Sequence, residues 1–209
     1  MSRTRIKICG IKDIETAMVA AECGADAIGL VFVKLSPRYV EPEQAWEIVT
    51  YLPPFVTSVG LFVNAKPDAI DEVREQCPFD QVQLHGDESE PVVRACGPRV
   101  IKAVKFDAAT IEHELLRWNN FREVDAVLVD GGSGGEGVAL DWEALAKVRE
   151  ASSHPIILAG GLTPENVGEA IRIVEPWAVD VSSGVEKEKG VKDHALIAAF
   201  CDAVREADG

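Results

Sequence analysis

The chain has 209 residues, of which 47% are hydrophobic and 27% are charged, and its formal net charge at pH 7 is −14. This length fits one domain with a sizeable core, and no apolar run is long enough to span a membrane. The acidic balance argues against nucleic acid and anionic membranes as partners, because both are negatively charged. The N-terminus lacks a signal-like pattern, so we expect a cytoplasmic protein.

Short apolar runs of β-type residues alternate with helix-like stretches along the whole chain. The predicted strands are Arg5–Ile8, Ala27–Phe32, Thr57–Phe62, Gln81–Leu84, Val100–Val104, Ala126–Val129, Ile156–Ala159 and Ala178–Val181. The predicted helices are Ile14–Glu22, Pro42–Tyr51, Pro67–Gln76, Glu90–Cys96, Thr110–Trp118, Trp142–Glu150, Pro164–Val174 and Asp193–Glu206. Proline at the first position of a helix supports the starts at Pro42, Pro67 and Pro164, with Thr163 as the N-cap of the last.

Strict alternation of strand and helix predicts parallel strands joined by helical crossovers. Eight units predict an α/β fold, a single-domain (β/α)8 barrel of eight parallel strands that spans residues 1–209. The competing architecture is a doubly wound open sheet, which would usually carry a glycine-rich fingerprint after its first strand. Here Cys9, Gly10 and Ile11 follow that strand, and they match no such fingerprint.

The first strand ends at a thiol with an ammonium group behind it. Lys7 and Cys9 lie on the same strand face, at the end where α/β barrels build their active sites. A neighbouring cation favours the thiolate, which is the form that takes up protons, although a nearby carboxylate would oppose this.

Polar residues occupy one face of several strands, and in a barrel wrapped by helices that face points to the interior. Gln83 and His85 share a face in the fourth strand, as do Asp180 and Ser182 in the eighth. Interior charges are unfavourable unless they are paired. Because the first and last strands of a closed barrel are neighbours, we predict that Lys7 pairs with Asp180.

A glycine-dense loop follows the sixth strand directly after Asp130. Residues 131–137 contain five glycines, among them Gly134, and such a loop can close over a ligand or present backbone N–H groups to an anion. We therefore expect this loop and Asp130 to belong to the functional site.

Small residues follow the seventh and eighth strands, as in barrels that bind phosphate. Gly160 and Gly161 form the first pair, and the second group consists of Ser182, Ser183 and Gly184. Glycines let the backbone approach an anion, and N–H groups at a helix start point towards it.

Two further side chains have roles that the residues alone leave open. Arg38 could clamp a carboxylate or lie on the surface in solvent. His85 could bind substrate, transfer a proton or cap the barrel. The five cysteines are odd in number and show no Cys-x-x-Cys spacing, which argues against a disulfide framework and a zinc site.

Taken together, these motifs make the chain resemble the phosphoribosylanthranilate isomerase family of tryptophan biosynthesis. The resemblance covers essentially the whole chain and is carried by Lys7–Ile11, Gly24–Gly29, Ser36–Val40, Val82–Gly86, Asp130–Gly137, Leu158–Leu162 and Val179–Glu186.

The resemblance implies an Amadori rearrangement of N-(5-phosphoribosyl)anthranilate to the corresponding 1-deoxyribulose 5-phosphate. It implies that Cys9 is the general base, that Asp130 is the general acid and that Arg38 contacts the anthranilate carboxylate. It places phosphate on Gly160, Gly161, Ser182, Ser183 and Gly184. The reaction transfers protons only, so we expect no metal and no cofactor. The expected partner is a small phosphorylated substrate, and the chain is expected to be a monomer or a homodimer.

Two other functions remain alternatives at this point. The first is a related phosphate-binding barrel, including a dual-specificity isomerase that also accepts the aminoaldose substrate of histidine biosynthesis. The isomerase of histidine biosynthesis itself would be expected to carry an aspartate at the position of Cys9. The second is a non-catalytic barrel that binds sugar phosphates, which would have no use for Cys9 opposite Asp130.

Overall fold

The computed structural model describes residues 3–131 and 140–209. Within them, eight parallel strands pair in chain order and close into a barrel, with the last strand hydrogen-bonded to the first. The strands are β1 (Arg5–Cys9), β2 (Ala27–Val31), β3 (Thr57–Phe62), β4 (Gln81–Leu84), β5 (Val100–Lys105), β6 (Val124–Asp130), β7 (Ile156–Ala159) and β8 (Ala178–Val181). The helices are α1 (Ile14–Glu22), α2 (Pro42–Tyr51), α3 (Pro67–Gln76), α4 (Glu90–Cys96), α5 (Ile111–Trp118), α6 (Trp142–Val148), α7 (Val167–Val174) and α8 (His194–Asp208). The predicted barrel is therefore confirmed.

Most predicted boundaries agree with the structure to within two residues, and the prolines at the starts of α2 and α3 are confirmed. Aspartates cap three other helices, because their carboxylates accept N–H groups of the first turn that have no partner inside the helix. These caps are Asp13, Asp141 and Asp193.

The predicted start of the seventh helix is wrong. The helix begins at Val167 with Asn166 as its N-cap, so Thr163 is not the cap. The Asn166 side chain accepts the N–H of Thr163 at 2.8 Å and donates to the carbonyl of Gly161 at 2.8 Å. These bonds hold the preceding residues in a loop. The sixth helix is also shorter than predicted, because residues 149–151 form a 3-10 turn.

A short antiparallel hairpin between β8 and α8 was missed by the sequence analysis. Its strands are β9 (Glu186–Glu188) and β10 (Val191–Lys192). A 3-10 turn over Ser183–Val185 leads into it, so the hairpin lies directly after the predicted phosphate loop.

Two apolar regions hold the barrel together. One fills the barrel interior with side chains such as Val59, Ile101 and Leu128, and the other packs the outer strand faces against the helices through residues such as Ile8 and Leu84. Complete burial of one such aliphatic side chain stabilises the fold by about 1.5–3 kcal/mol. Within residues 3–131 and 140–209, no helix combines the length and the apolar character that crossing a membrane requires.

The first and last strands meet through the predicted ion pair. Lys7 and Asp180 are register partners of β1 and β8, and Lys7 Nζ lies 2.7 Å from Asp180 Oδ1. Both side chains are buried inside the barrel. The predicted pairing is confirmed.

Candidate active site

A cavity of about 790 Å³ opens at the carboxyl ends of the barrel strands. The predicted site residues on its wall are Cys9, Arg38, His85, Asp130, Gly160, Gly161, Asp180, Ser182 and Ser183. Lys7, Gln83 and Gly184 are not among the residues that line it, and Gly134 lies outside the described residues. The closed barrel thus brings together residues from both ends of the chain.

Cys9 is the last residue of β1 and is almost completely buried at the cavity wall. A Cβ atom on Gly29 of the neighbouring strand would lie only 2.7 Å from the Cys9 sulfur, so the glycine leaves the space that the thiol occupies. Burial raises the pKa of Cys9. The charges of Lys7 and Lys192 lower it, but burial together with the charge of Asp180 outweighs them. The predicted effect of Lys7, which favours the thiolate, is therefore only one of several contributions to the pKa of Cys9. In the resting protein Cys9 is a thiol.

Lys7 stays protonated beneath this thiol. Burial lowers the pKa of Lys7, but the charges of Asp180 and of ionised Cys9 raise it by more, so that the net pKa is above its ordinary value. An ammonium group is therefore in place beside Cys9 whenever the thiolate forms.

Asp130 ends β6 and is linked to His85 and Gln83. The His85 Nε2 atom lies 3.1 Å from Asp130 Oδ2, and the Gln83 Nε2 atom lies 2.9 Å from His85 Nδ1. With the Gln83 amide placed in this orientation, its nitrogen donates to Nδ1, so the proton of a neutral imidazole lies on Nε2 and points to Asp130. A Cβ atom on Gly160 would lie 2.7 Å from Asp130 Oδ1, which explains why glycine occupies that position.

The segment after His85 is held by a buried charge cluster on the helix side of the barrel. Glu88 accepts the N–H groups of Asn64 and Gly86, each at 2.9 Å, and lies 3.0 Å from Lys102 Nζ. Lys102 also donates to the carbonyl of Gly86 at 2.8 Å. These bonds fix the loop that directs His85 towards Asp130.

The two predicted phosphate loops touch each other. Gly160 and Gly161 have φ angles of +87° and +65°, a conformation that glycine adopts without strain. A Cβ atom on Gly184 would overlap the carbonyl of Leu162, so the loop after β8 packs directly against the loop after β7. Together they form a continuous rim of backbone and small side chains at one end of the cavity.

Arg38 lies at the cavity wall, with its guanidinium bound to a glutamate that the sequence analysis did not single out. Its Nε and Nη2 atoms donate to the two carboxylate oxygens of Glu186 at 2.7 and 3.0 Å. Gly10 has a φ angle of +85°, and a Cβ atom there would lie 2.7 Å from Arg38 Cδ. The absence of a side chain at Gly10 therefore leaves room for the arginine stem.

Glu186 also forms a buried ion pair with Lys192, at 3.0 Å, next to the loop after β8. Lys192 donates to the carbonyl of Ser182 at 2.8 Å. Burial alone would raise the pKa of Glu186, but the hydrogen bond from Arg38 and the charge of Lys192 lower it to about 2. Both residues follow the small residues after β8 in sequence, and that position was the only available signal of their proximity to the site.

Residues 3–131 and 140–209 contain no group of three or more His, Cys, Asp and Glu side chains placed to hold a metal ion. The titratable groups on the cavity wall include a thiol, an imidazole, a guanidinium, an ammonium group and several carboxylates, with backbone N–H groups at the rim. Such a set can move protons and bind anions.

Residues 6–203 match the family model of N-(5'-phosphoribosyl)anthranilate (PRA) isomerase. The chain is 48% identical to N-(5'-phosphoribosyl)anthranilate isomerase of Pseudomonas fluorescens (strain Pf0-1), over 98% of this chain and all of that protein. It resembles a phosphoribosyl anthranilate isomerase in complex with reduced 1-(o-carboxyphenylamino)-1-deoxyribulose 5-phosphate, with a TM-score of 0.87 and 40% identity over 97% of this chain and 99% of the other. It also resembles mutually generated monomers of the dimeric isomerase of Thermotoga maritima, with a TM-score of 0.87 and 38% identity over 97% and 99% of the two chains.

Proposed function

The chain belongs to the N-(5'-phosphoribosyl)anthranilate isomerase family, and from this premise we propose that Cys9 and Asp130 carry out the proton transfers of its reaction. The protein is an isomerase of tryptophan biosynthesis, and its reaction is the Amadori rearrangement of N-(5-phosphoribosyl)anthranilate. The observation that carries the proposal is that a buried thiol and a histidine-bound carboxylate line one cavity beside two glycine-containing loops.

Asp130 is proposed to act first, as the general acid. It gives a proton to the oxygen of the ribose ring, so that the C1′–O bond breaks and the sugar opens to a Schiff base. The carboxylate that remains accepts the Nε2–H of His85, which lies 3.1 Å away. His85 is thus a donor that stabilises the product of this step.

Cys9 is proposed to act second, as the general base. Its thiolate removes the proton on C2′, and the electrons of the C–H bond move towards the iminium nitrogen to give an enolamine. The enolamine then tautomerises to 1-(2-carboxyphenylamino)-1-deoxyribulose 5-phosphate. Because burial disfavours the thiolate, its uptake of the C2′ proton is favourable. Before this proton transfer, protonated Lys7 stabilises the negative charge of the thiolate.

The two ends of the substrate are proposed to bind at different parts of the cavity wall. Arg38 binds the anthranilate carboxylate, because a guanidinium edge matches the two carboxylate oxygens. The rim formed by Gly160, Gly161 and residues 182–184 binds the phosphate through backbone N–H groups and hydroxyls. A contribution from the loop that contains Gly134 stays a prediction, because that loop lies outside the described residues.

Turnover measurements on Cys9→Ser and Asp130→Asn test the two roles. General acid–base catalysis contributes about 10²- to 10⁴-fold, so each variant should lose at least that much in kcat. The loss of substrate fluorescence reports turnover, and circular dichroism verifies folding. Cys23→Ser and Asp71→Asn are matched controls away from the cavity and should keep wild-type turnover. Near-wild-type kcat in either site variant would refute the corresponding role.

We further propose that the enzyme works in the cytoplasm as a monomer or a homodimer. The dimeric isomerase of Thermotoga maritima supports the second form. Light scattering on the purified protein distinguishes the two forms, because it measures molar mass directly.

A further inference from the structure

Glu186 lies at the centre of a buried charge cluster at the cavity wall. Its Oε1 atom accepts from Arg38 Nε at 2.7 Å and from Lys192 Nζ at 3.0 Å. Its Oε2 atom accepts from Arg38 Nη2 at 3.0 Å and from the N–H of Gly190 at 3.1 Å. The side chains of Arg38, Glu186 and Lys192 are at most 10% exposed. The Glu186 carboxylate therefore accepts four hydrogen bonds, and these bonds hold both cations, Arg38 and Lys192, in position.

The contact with Glu186 uses one edge of the Arg38 guanidinium. A guanidinium has five N–H donors, and the side edge formed by Nε and Nη2 is occupied by Glu186. Nη1 makes no hydrogen bond to any of the described residues, so the end edge that it forms with the second N–H of Nη2 remains available. That edge retains the spacing needed for a second carboxylate. Glu186 therefore sets the orientation in which Arg38 presents its remaining donors.

The contact with Lys192 links Glu186 to the loop after β8. Lys192 Nζ donates to the carbonyl of Ser182 at 2.8 Å, and the Ser182 hydroxyl donates to the carbonyl of Cys9 at 3.1 Å. In a trans peptide the C=O and the following N–H point in opposite directions, so holding this carbonyl also orients the N–H of Ser183. Glu186 thus acts on the loop after β8 through Lys192.

We propose that Glu186 is a positioning residue that couples the two ends of the substrate site, orienting Arg38 for the carboxylate and Lys192 with Ser182 for the phosphate. The inference rests on the proposed function, because it takes Arg38 and the loop after β8 as the groups that bind substrate. It assigns Glu186 no contact with the reacting atoms.

Charge alone predicts the opposite effect, which makes the idea testable. Glu186 is negative and the substrate is an anion, so neutralising Glu186 would strengthen binding if its only effect were electrostatic. If Glu186 acts by positioning, Glu186→Gln weakens binding. Glutamine has one oxygen in place of two, and its NH₂ group cannot accept the second Arg38 bond.

The experiment measures kcat, KM and the competitive inhibition constants of anthranilate and of inorganic phosphate for Glu186→Gln. Loss of a charged hydrogen bond predicts that KM rises by about 10- to 100-fold. We expect kcat to change little, because the positioning acts on binding. We expect the inhibition constants of both fragments to rise.

Two variants separate the ends of the site. Arg38→Lys keeps a cation next to Glu186 but loses the planar guanidinium edge with its two donors. Mainly the inhibition constant of anthranilate should therefore rise. Lys192→Met removes the hydrogen bond to the Ser182 carbonyl, so mainly the inhibition constant of inorganic phosphate should rise. Glu72→Gln on the exposed face of α3 makes the same charge change away from the cavity and should leave all four quantities unchanged.

Glu186→Asp keeps the inference testable if the glutamine variant does not fold. It retains the charge on a shorter side chain that cannot reach both cations, so both inhibition constants should again rise. Unchanged or lower constants for both fragments would overturn the inference. A rise for one fragment only, or a fall in kcat as large as the rise in KM, would overturn it as well.

Failure of the proposed function gives a different result. If Cys9→Ser kept its turnover, the role of the base would be refuted. The inhibition constants of the Glu186 variants would still decide whether this residue couples the two ends of the cavity.

Discussion

Lys7 Nζ lies 2.7 Å from Asp180 Oδ1 across the seam where β1 and β8 close the barrel. Both groups are buried, at 4% and 8% side-chain exposure, and Lys7 also lies beneath the Cys9 thiol. The pair therefore belongs both to the closure of the fold and to the electrostatics of the candidate base.

Asp180→Ala should destabilise the protein by about 3–5 kcal/mol, because it leaves the Lys7 charge buried without its partner. Urea denaturation at neutral pH measures the free energy of unfolding. The double variant Lys7→Met, Asp180→Leu should recover most of that loss, since a buried ion pair can often be replaced by apolar side chains. Asp71→Ala on the surface of α3 is the control. Full stability and full activity of Asp180→Ala would refute this role of the pair.

The pH dependence of kcat/KM should report the buried thiol. Because burial, together with the charge of Asp180, raises the pKa of Cys9 above its ordinary value, kcat/KM should increase with pH throughout the neutral range and level off only above the ordinary pKa of a thiol. Lys192 lowers the pKa of Cys9, so Lys192→Met should move the midpoint of this rise in kcat/KM to still higher pH. Lys147→Met, on the exposed side of α6, should not move it. A wild-type midpoint at or below the ordinary pKa of a cysteine thiol would contradict the pKa direction.

Gly160→Ala should be harmful because the new Cβ atom would meet both Asp130 and the backbone of Gly131. The φ angle of +87° adds a penalty of about 1–2 kcal/mol for any residue with a Cβ atom. We expect a lower melting temperature and a marked loss of kcat/KM. Gly168→Ala within α7 is the matched control, since its nearest neighbour would lie at 3.5 Å. It should stabilise the helix by about 0.5–1 kcal/mol and leave turnover unchanged.

The charge cluster around Glu186 should contribute to acid sensitivity. The pKa of Glu186 is about 2 in the folded protein and 4.5 as its ordinary value, a difference that corresponds to about 3 kcal/mol. Because the folded pKa is the lower one, this stability is fully present above pH 4.5 and is lost as pH falls towards 2. The stability gap between wild type and Glu186→Gln, measured by urea denaturation, should therefore narrow from pH 5 to pH 3. A constant gap would show that the carboxylate does not titrate in this way.

The order of the elements and the position of the candidate site at the carboxyl ends of the strands could be predicted from the sequence. The alternation of strands and helices fixes a parallel barrel, and the period of two along a strand assigns Lys7, Cys9 and Asp180 to its interior. The Lys7–Asp180 pair followed from barrel closure, although 173 residues separate its members. These inferences succeeded because they depend on local periodicity and on one general rule about closed sheets.

Tertiary structure alone decided the contacts made by loops and the balance of charge against burial. Arg38 and Glu186 lie 148 residues apart in segments without periodicity, so no sequence pattern predicts that they meet. The start of α7 at Val167 depends on the loop bonds of the Asn166 side chain. The pKa of Cys9 depends on how completely the folded chain removes water from its sulfur, and this burial outweighs the cation that the sequence revealed. Strand residues occupy positions set by the barrel, whereas loop contacts and desolvation depend on the path of the whole chain.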